Sequence, residues 1–357
     1  MEDSRIQNLR SPHREYAQQV LLSYPGVKIA FDVTFESVWK LFLDSGFLYP
    51  EKVTRLEPVL PEIHSTMRTM LGCNGEVMST VVIGQPEALD AHISLLRWCD
   101  ETWIVQHLAA LPLTGRGADA TARLNLAFSY YGRIRPDIVW AKMYFRPNNV
   151  WPARVFGGFA RGVEDPTTAD LRVFHYLVAP VDSGSPEVSA GVNVRPATDA
   201  DSEMVQGWFQ ERGRHAELAA NHLDRVNYAS AAHQHLGLTR HRESLVAERD
   251  GKPVGFALLE FSSRGMNFSE LTNAFTVHLL EPDRDAQLAL IQAAKGRYAA
   301  AGYTHCIALE DGDVEAFLAG GFSTSKDYAC FTFHRQHLER MEEYFVALFG
   351  ARKRATA

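Results

Sequence analysis

Residues 181–191 read Val-Asp-Ser-Gly-Ser-Pro-Glu-Val-Ser-Ala-Gly, a small, polar, turn-rich stretch between two apolar runs. Such composition marks a linker, and it cuts the 357-residue chain into halves of similar size. The order of elements then repeats on its two sides. The first half reads as a strand at 28–33, helices at 35–43 and 61–71, and strands at 75–83, 91–98 and 102–110. A long helix at 118–131, a strand at 138–145, a short helix at 151–160 and a closing strand at 171–178 follow. The second half opens on a strand at 192 and a helix at 199–213, where Met204, Val205, Trp208 and Phe209 fall at helical spacing behind the cap residue Thr198. A hairpin turns on Asp250 and Gly251. A strand at 273–280, a helix at 285–301, a strand at 304–309, a short helix at 314–318 and a last strand at 328–333 complete it. Residues 221–238, polar and His-rich, fit no clear element. One order used twice implies a duplicated unit.

The division expected is a helical extension at 1–25, a domain at 26–180, the linker at 181–191, a second domain at 192–333, and a helix with tail at 334–357. Leu338, Met341, Tyr344, Phe345 and Leu348 give that last helix one apolar stripe. The stripe suits packing on the protein or a homodimer contact.

Hydrophobic residues make up 46 % and charged residues 22 %, the balance of a folded globular protein. The net charge of −7 argues against nonspecific binding to nucleic acid, and none is expected as a partner. No apolar run is long enough to cross a membrane, and the first sixteen residues lack the apolar core of a signal peptide. Cys73, Cys99, Cys306 and Cys330 are far apart and form no CxxC pair. They read as reduced, buried thiols of a cytoplasmic protein.

The strand-and-helix opening at Val192 to Asp201, the Asp250-Gly251 hairpin and the Gly321-Phe322 pair before the last strand resemble the GNAT (GCN5-related) family of acyl-CoA-dependent N-acyltransferases. The resemblance covers nearly the whole chain after residue 25, by element order alone in the first half. It implies an α/β (α+β) fold of two GNAT-like domains, each a mixed, mostly antiparallel sheet flanked by helices. It also implies acetyl-CoA or another acyl-CoA as cofactor and a small-molecule or peptide amine as acceptor.

In that family a Gln/Arg-x-x-Gly-x-Gly/Ala turn between the fourth strand and the long helix holds the coenzyme pyrophosphate. Such a turn needs glycine so that backbone N–H groups can converge on the anion. In the second half, alignment on Pro282 puts Asp285, Leu288 and Leu290 at the patterned positions, and Glu281, Asp283 and Asp285 bring three carboxylates. In the first half the junction contains Gly115, Arg116, Gly117, Ala118 and Ala120, with only Ala120 in register. These five are the cofactor-binding candidates, set against an ordinary Gly-rich turn. The family's usual acid, a Tyr four residues before Gly-Phe, is replaced by Phe317 and Arg154.

Base candidates on the two fourth strands are His107 and His278, because imidazole titrates near neutral pH. A hydrogen-bonded core histidine is the bland alternative for each. Tyr144, Arg146, Asn148, Asn149, Trp151 and Arg154 form an aromatic and basic run suited to an anionic or flat substrate, or to a strand end packed on a helix. His215, His222, His233, His235 and His241 complete no metal-ligand pattern, so no metal is expected.

Three functions compete. The first is an N-acyltransferase with its active site in the first half. The second is a catalytically silent tandem module that binds a ligand such as a nucleotide. The third is an aminoacyl-tRNA-dependent transferase, a class in which tandem GNAT-like folds also occur.

Overall fold

A computed structural model describes residues 12–112, 117–163, 165–183 and 191–355. The chain packs as two compact units, one of Met1–Met143 with Phe333–Ala357, the other of Tyr144–Thr332.

The first unit begins with helix α1 (Pro12–Ser23) and strand β1 (Val27–Ala30), followed by helices α2 (Phe35–Asp44), α3 (Pro50–Leu56) and α4 (Leu60–Leu71). Strands β2 (Met78–Gln85), β3 (Ala88–Arg97) and β4 (Thr102–Ala110) come next, then the long helix α5 (Gly117–Ile134) and strand β5 (Trp140–Phe145). Helix α2 shows why these residues fold locally. Thr34 caps it by accepting the Ser37 amide at 3.2 Å. Phe35, Val38, Leu41 and Phe42 form its buried face. β1 to β4 pair antiparallel in chain order, and β5 joins β4 in parallel, from Thr102↔Trp140 to Val105↔Met143.

β4 is irregular. Against β3 the register runs His92↔Ala109 and then Ser94↔Gln106. Two β4 residues, His107 and Leu108, therefore stand opposite the single residue Ile93. This is a β-bulge. His107 sits in the left-handed region at φ 55°, uncommon for a side chain other than glycine. The bulge falls where β4 leaves β5, since no β4–β5 partner follows Val105.

The second unit carries helix α6 (Val150–Ala160), strands β6 (Ala169–Pro180) and β7 (Val192–Pro196), and helices α7 (Ser202–Glu211) and α8 (His215–Ala220). Then come β8 (Tyr228–Ala229), α9 (Ala231–His235), β9 (Arg240–Arg249), β10 (Lys252–Ser262) and β11 (Ala274–Leu279). Helix α10 (Arg284–Ala300), β12 (His305–Glu310), helix α11 (Glu315–Ala319) and β13 (Ser323–His334) complete it. Its strands lie in the order β13-β6-β12-β11-β10-β9-β7, with β8 on β9. β11 and β12 run parallel, whereas β7–β9, β9–β10, β10–β11 and β6–β12 are antiparallel. Positive φ at both Asp250 (53°) and Gly251 (74°) makes the β9–β10 hairpin follow the strand twist. One face of the sheet is filled by Leu290, Ile291 and Tyr298 of α10 with Phe275 and Phe317. The other is filled by Val205 and Phe209 of α7 with Val246 and Phe256.

The polar stretch 221–238, unassigned from sequence, is held by non-local bonds. Buried Arg242 donates to the Asn221 carbonyl at 2.8 Å and, with Arg240, shares the carboxylate of Glu260. No local periodicity records such bonds. β6 precedes the linker in sequence yet pairs with β12 inside the second unit. Repeat order and packing thus divide the chain at different places.

The chain ends in helix α12 (Leu338–Ala355), part of the first unit. It packs on α5 with Leu338, Met341 and Phe345 buried, the stripe expected from sequence. A Cβ at Gly132 of α5 would stand 3.2 Å from Leu338 Cδ1, so the small residue sets the helix spacing. Among the described residues no helix is long and apolar enough to cross a membrane.

Candidate functional site

In the second unit, β11 and β12 are paired only at Ala274↔Ile307 and Phe275↔Ala308. Beyond those pairs the strands part, and a cavity of about 560 Å³ opens at their carboxyl ends. Ligands of open α/β sheets favour this position, and the volume is that of a small-molecule site. Val277, Leu279, Leu280 and Ala316 supply apolar lining. Glu281, Asp283, Glu310, Asp313 and Glu315 give it an acidic character. His278 also lines it.

The start of α10 is where an anion would bind, because the first helical amides point outward unpaired. Asp283 occupies it. Its carboxylate accepts the Ala286 amide at 3.0 Å as the N-cap. It also forms a two-pronged ion pair with Arg249, at 3.0 Å from both Nε and Nη2. Partial burial pushes the Asp283 pKa up, but the Ala286 amide and Arg249 outweigh it and the carboxyl stays below its usual range. The charge is therefore fixed in place. These residues do not fit a coenzyme pyrophosphate, which would meet a carboxylate where it needs donors.

Glu310 ends β12 and was not singled out by sequence. It is 9 % exposed. Its Oε1 accepts the Gly312 amide at 2.8 Å, and among the described residues its Oε2 accepts no hydrogen bond. Burial pushes its pKa up to about 7; the Gly312 amide and Arg214 pull down, and Asp311 and Asp313 push up. A carboxyl that titrates near neutrality in a cleft suits proton exchange or recognition of a cation. The available signal was positional: Glu310 closes a buried strand just before the Asp311-Gly312-Asp313 turn.

His278 packs against Trp208, Phe209 and Phe256, with ring centroids at 4.4, 5.3 and 4.9 Å, and its Nε2 is 2.9 Å from Thr276 Oγ1. Burial, then Arg214, Arg172 and Arg212, hold its pKa well below the ordinary value. His107 lies between Phe42 and Phe47, at 5.6 and 5.9 Å. Its carbonyl is 2.9 Å from His92 Nδ1. Burial, then His92 and Lys52, depress its pKa strongly. Both candidate bases are thus neutral core imidazoles, far from the pKa that suits a base at neutral pH.

Gly115 and Arg116 lie outside the described residues. Gly117 and Ala118 begin the backbone of α5, and Ala120 is buried in its first turn. Tyr144 packs edge-on to Phe174 at 6.2 Å in a cluster with Tyr176 and Tyr328. Trp151 packs edge-on to Phe156 at 5.7 Å. Arg146, Asn148, Asn149 and Arg154 are exposed around the start of α6. None of these six lines the cavity. Among the described residues no group of three or more His, Cys, Asp or Glu is arranged to hold a metal ion. All four cysteines are buried, and none of them is in a disulfide among the described residues.

No family model matches the chain, and no curated protein matches it. Solved structures similar to it include GCN5-related N-acetyltransferases. A Drosophila protein from a structural genomics programme is 14 % identical, covers 90 % of this chain and 96 % of its own, and has a TM-score of 0.45. A GCN5-related N-acetyltransferase from Sphaerobacter thermophilus is 14 % identical over 73 % of this chain and 81 % of its own, with a TM-score of 0.41. A tandem GNAT protein from the clavulanic acid biosynthesis pathway is 14 % identical over 72 % of this chain and 83 % of its own, with a TM-score of 0.40. Values this low carry no activity or substrate across to this chain.

Proposed function

We propose that the protein is an acyl-CoA-dependent N-acyltransferase of tandem build, with cofactor and amine chemistry in the first half. Its second half does not take acyl-CoA. The observation that carries this reading is the bulge at His107. Bulges re-aim a strand and end its pairing, and they concentrate beside active sites. This one lies where β4 leaves β5, directly ahead of the stretch with Gly115, Arg116 and Gly117. Asp283 closes the corresponding position of the second half. In a dry, bulged strand the protein's part is to orient the acyl carbonyl and exclude water.

Isothermal titration with acetyl-CoA tests the reading. One equivalent per chain is expected. Gly117→Asp, which sets a carboxylate at the start of α5, abolishes it, and Glu281→Gln leaves it intact. No binding at all, or binding untouched by Gly117→Asp, rejects the proposal. The silent-module reading is favoured by one observation: Phe317 is fully buried where the family carries its acid. A nucleotide that raises the melting temperature while acetyl-CoA does not would select it.

A further inference from the structure

We propose that His92 is a positioning residue for the first-half site, on the reading given above that the bulge of β4 carries that site. Its imidazole holds the bulge by donating to the His107 carbonyl.

Strand β3 has two polar residues at its centre, His92 and Ser94, and both are fully buried. Polar groups are costly in such places unless they are hydrogen-bonded. The two flank Ile93, the residue that stands opposite both His107 and Leu108. Two apart on one strand, they share a face of the sheet. From that face each reaches a carbonyl of β4. His92 Nδ1 lies 2.9 Å from the His107 oxygen, and Ser94 Oγ donates to the Gln106 oxygen at 3.4 Å, the weaker contact of the two. Consecutive carbonyls at the bulge are thus held by side chains from the strand opposite. The second half supplies the contrast. There β10 sets Gly255, Phe256 and Ala257 along His278, none with a side-chain donor, and β11 keeps its register.

A carbonyl only accepts, so Nδ1 of His92 carries the proton. Nε2 is then the bare nitrogen, and among the described residues it has no hydrogen-bond partner. A second proton would put a charge beside the Phe42 ring, whose centroid is 5.2 Å away. Burial accordingly pushes the His92 pKa down to about 4, against the pull of the His107 carbonyl. At neutral pH the ring is therefore one neutral tautomer with its donor aimed at β4. Left-handed backbone at a residue such as His107, at φ 55°, persists only where its surroundings enforce it. A buried donor of fixed tautomer is such an enforcement.

The test compares two variants of the full chain. His92→Phe keeps a ring and loses the donor. His92→Asn loses the ring, but its side-chain amide sets a donor close to the place of Nδ1. Three quantities are read: the melting temperature, the intraresidue HN–Hα nuclear Overhauser effect at residue 107, which is strongest at positive φ, and the affinity for acetyl-CoA by isothermal titration. If His92 only fills space, Phe stays nearer the parent than Asn in all three. If it holds the bulge, the order crosses. Phe melts higher than Asn, yet it loses the Overhauser signature and binds acetyl-CoA roughly tenfold more weakly, the loss expected for one buried hydrogen bond. Asn melts lower, yet it keeps the signature and most of the affinity. A folded His92→Phe protein that keeps either the signature or the affinity overturns the proposal, as does a folded His92→Asn protein that loses the signature. If acetyl-CoA does not bind the parent, the acyltransferase reading falls, and the Overhauser signature alone decides whether His92 holds the bulge.

Discussion

Strands β4 and β11 hold corresponding places in the two halves, and each carries a histidine near its end. Both histidines are buried and neutral, yet their strands differ. β4 breaks its register at His107, while β11 runs without a shift through His278. Beyond β11 the cleft is acidic, and its helix start is capped by the chain's own carboxylate. Around His107 the neighbours are Phe42, Phe47 and a second neutral imidazole, His92. Residue identity at one position therefore says little about role. The difference lies in backbone register and in the charges three and five positions beyond His278, at Glu281 and Asp283.

The largest expected effect is a split in acid stability. His92 and His107 in the first unit are held below the ordinary 6.5 by burial, His92 down to about 4. The folded unit binds fewer protons than the unfolded chain, so its stability falls as pH drops below 6.5. From pH 6.5 to 5 the His92 imidazole removes about 1.5 kcal/mol, and His107 adds to the loss in the same direction. In the second unit His278 does the same, but Glu310 acts oppositely. Its pKa is raised from 4.5 to about 7, so acid stabilises it. The two oppose each other. Hydrogen exchange at pH 6.5 and 5 should show more protection lost in β3 and β4 than in β10 and β11. Equal loss in both units would break the comparison.

Next in size is Glu310→Gln. A raised carboxyl pKa weakens the fold as pH rises through 4.5 to 7, by roughly 3 kcal/mol once complete. The variant should melt higher than the parent at pH 8 and equal it at pH 4. A lower melting temperature at pH 8 would mean that the ionised carboxylate is stabilised by contacts within the fold. Asp283→Ala follows, with loss of an N-cap and of the Arg249 pair. The cost is about 1 to 2 kcal/mol, read by urea denaturation. A neutral result would show that the cap does not hold the start of α10.

Much of the architecture was legible because it is written locally. The strand expected at 102–110 is β4 to the residue, and the helix expected at 35–43 is α2 with one residue more. Apolar period and caps suffice for such elements. Helix α3 was missed because only Lys52 and Leu56 of its seven residues are buried. Strand β6 was found, yet its place beside β12 was not, since pairing partners are non-local. The closed turn before α10 was read correctly as lacking glycines. The Asp283–Arg249 pair that closes it spans 34 residues and leaves no pattern. Glu310 escaped notice because a lone carboxylate at a strand end looks like a loop residue. Only the parting of β11 and β12 makes it part of a cleft.

The finest test of the comparison is the bulge itself. At φ 55° a β-branched residue meets its own backbone, whereas Asn tolerates the left-handed region. His107→Val and His107→Asn both remove the imidazole from between Phe42 and Phe47, so both lose similar packing. Val should nevertheless be the less stable of the two by about 1 kcal/mol, despite being the better strand former and the more apolar residue. At His278, in regular strand, the same pair of changes should rank the other way, because β propensity and burial both favour Val there. If Val outranks Asn at both positions, β4 is not held in the left-handed turn in solution. The two strands would then be alike in backbone, and the first half would lose the feature on which its assignment as the reacting half rests.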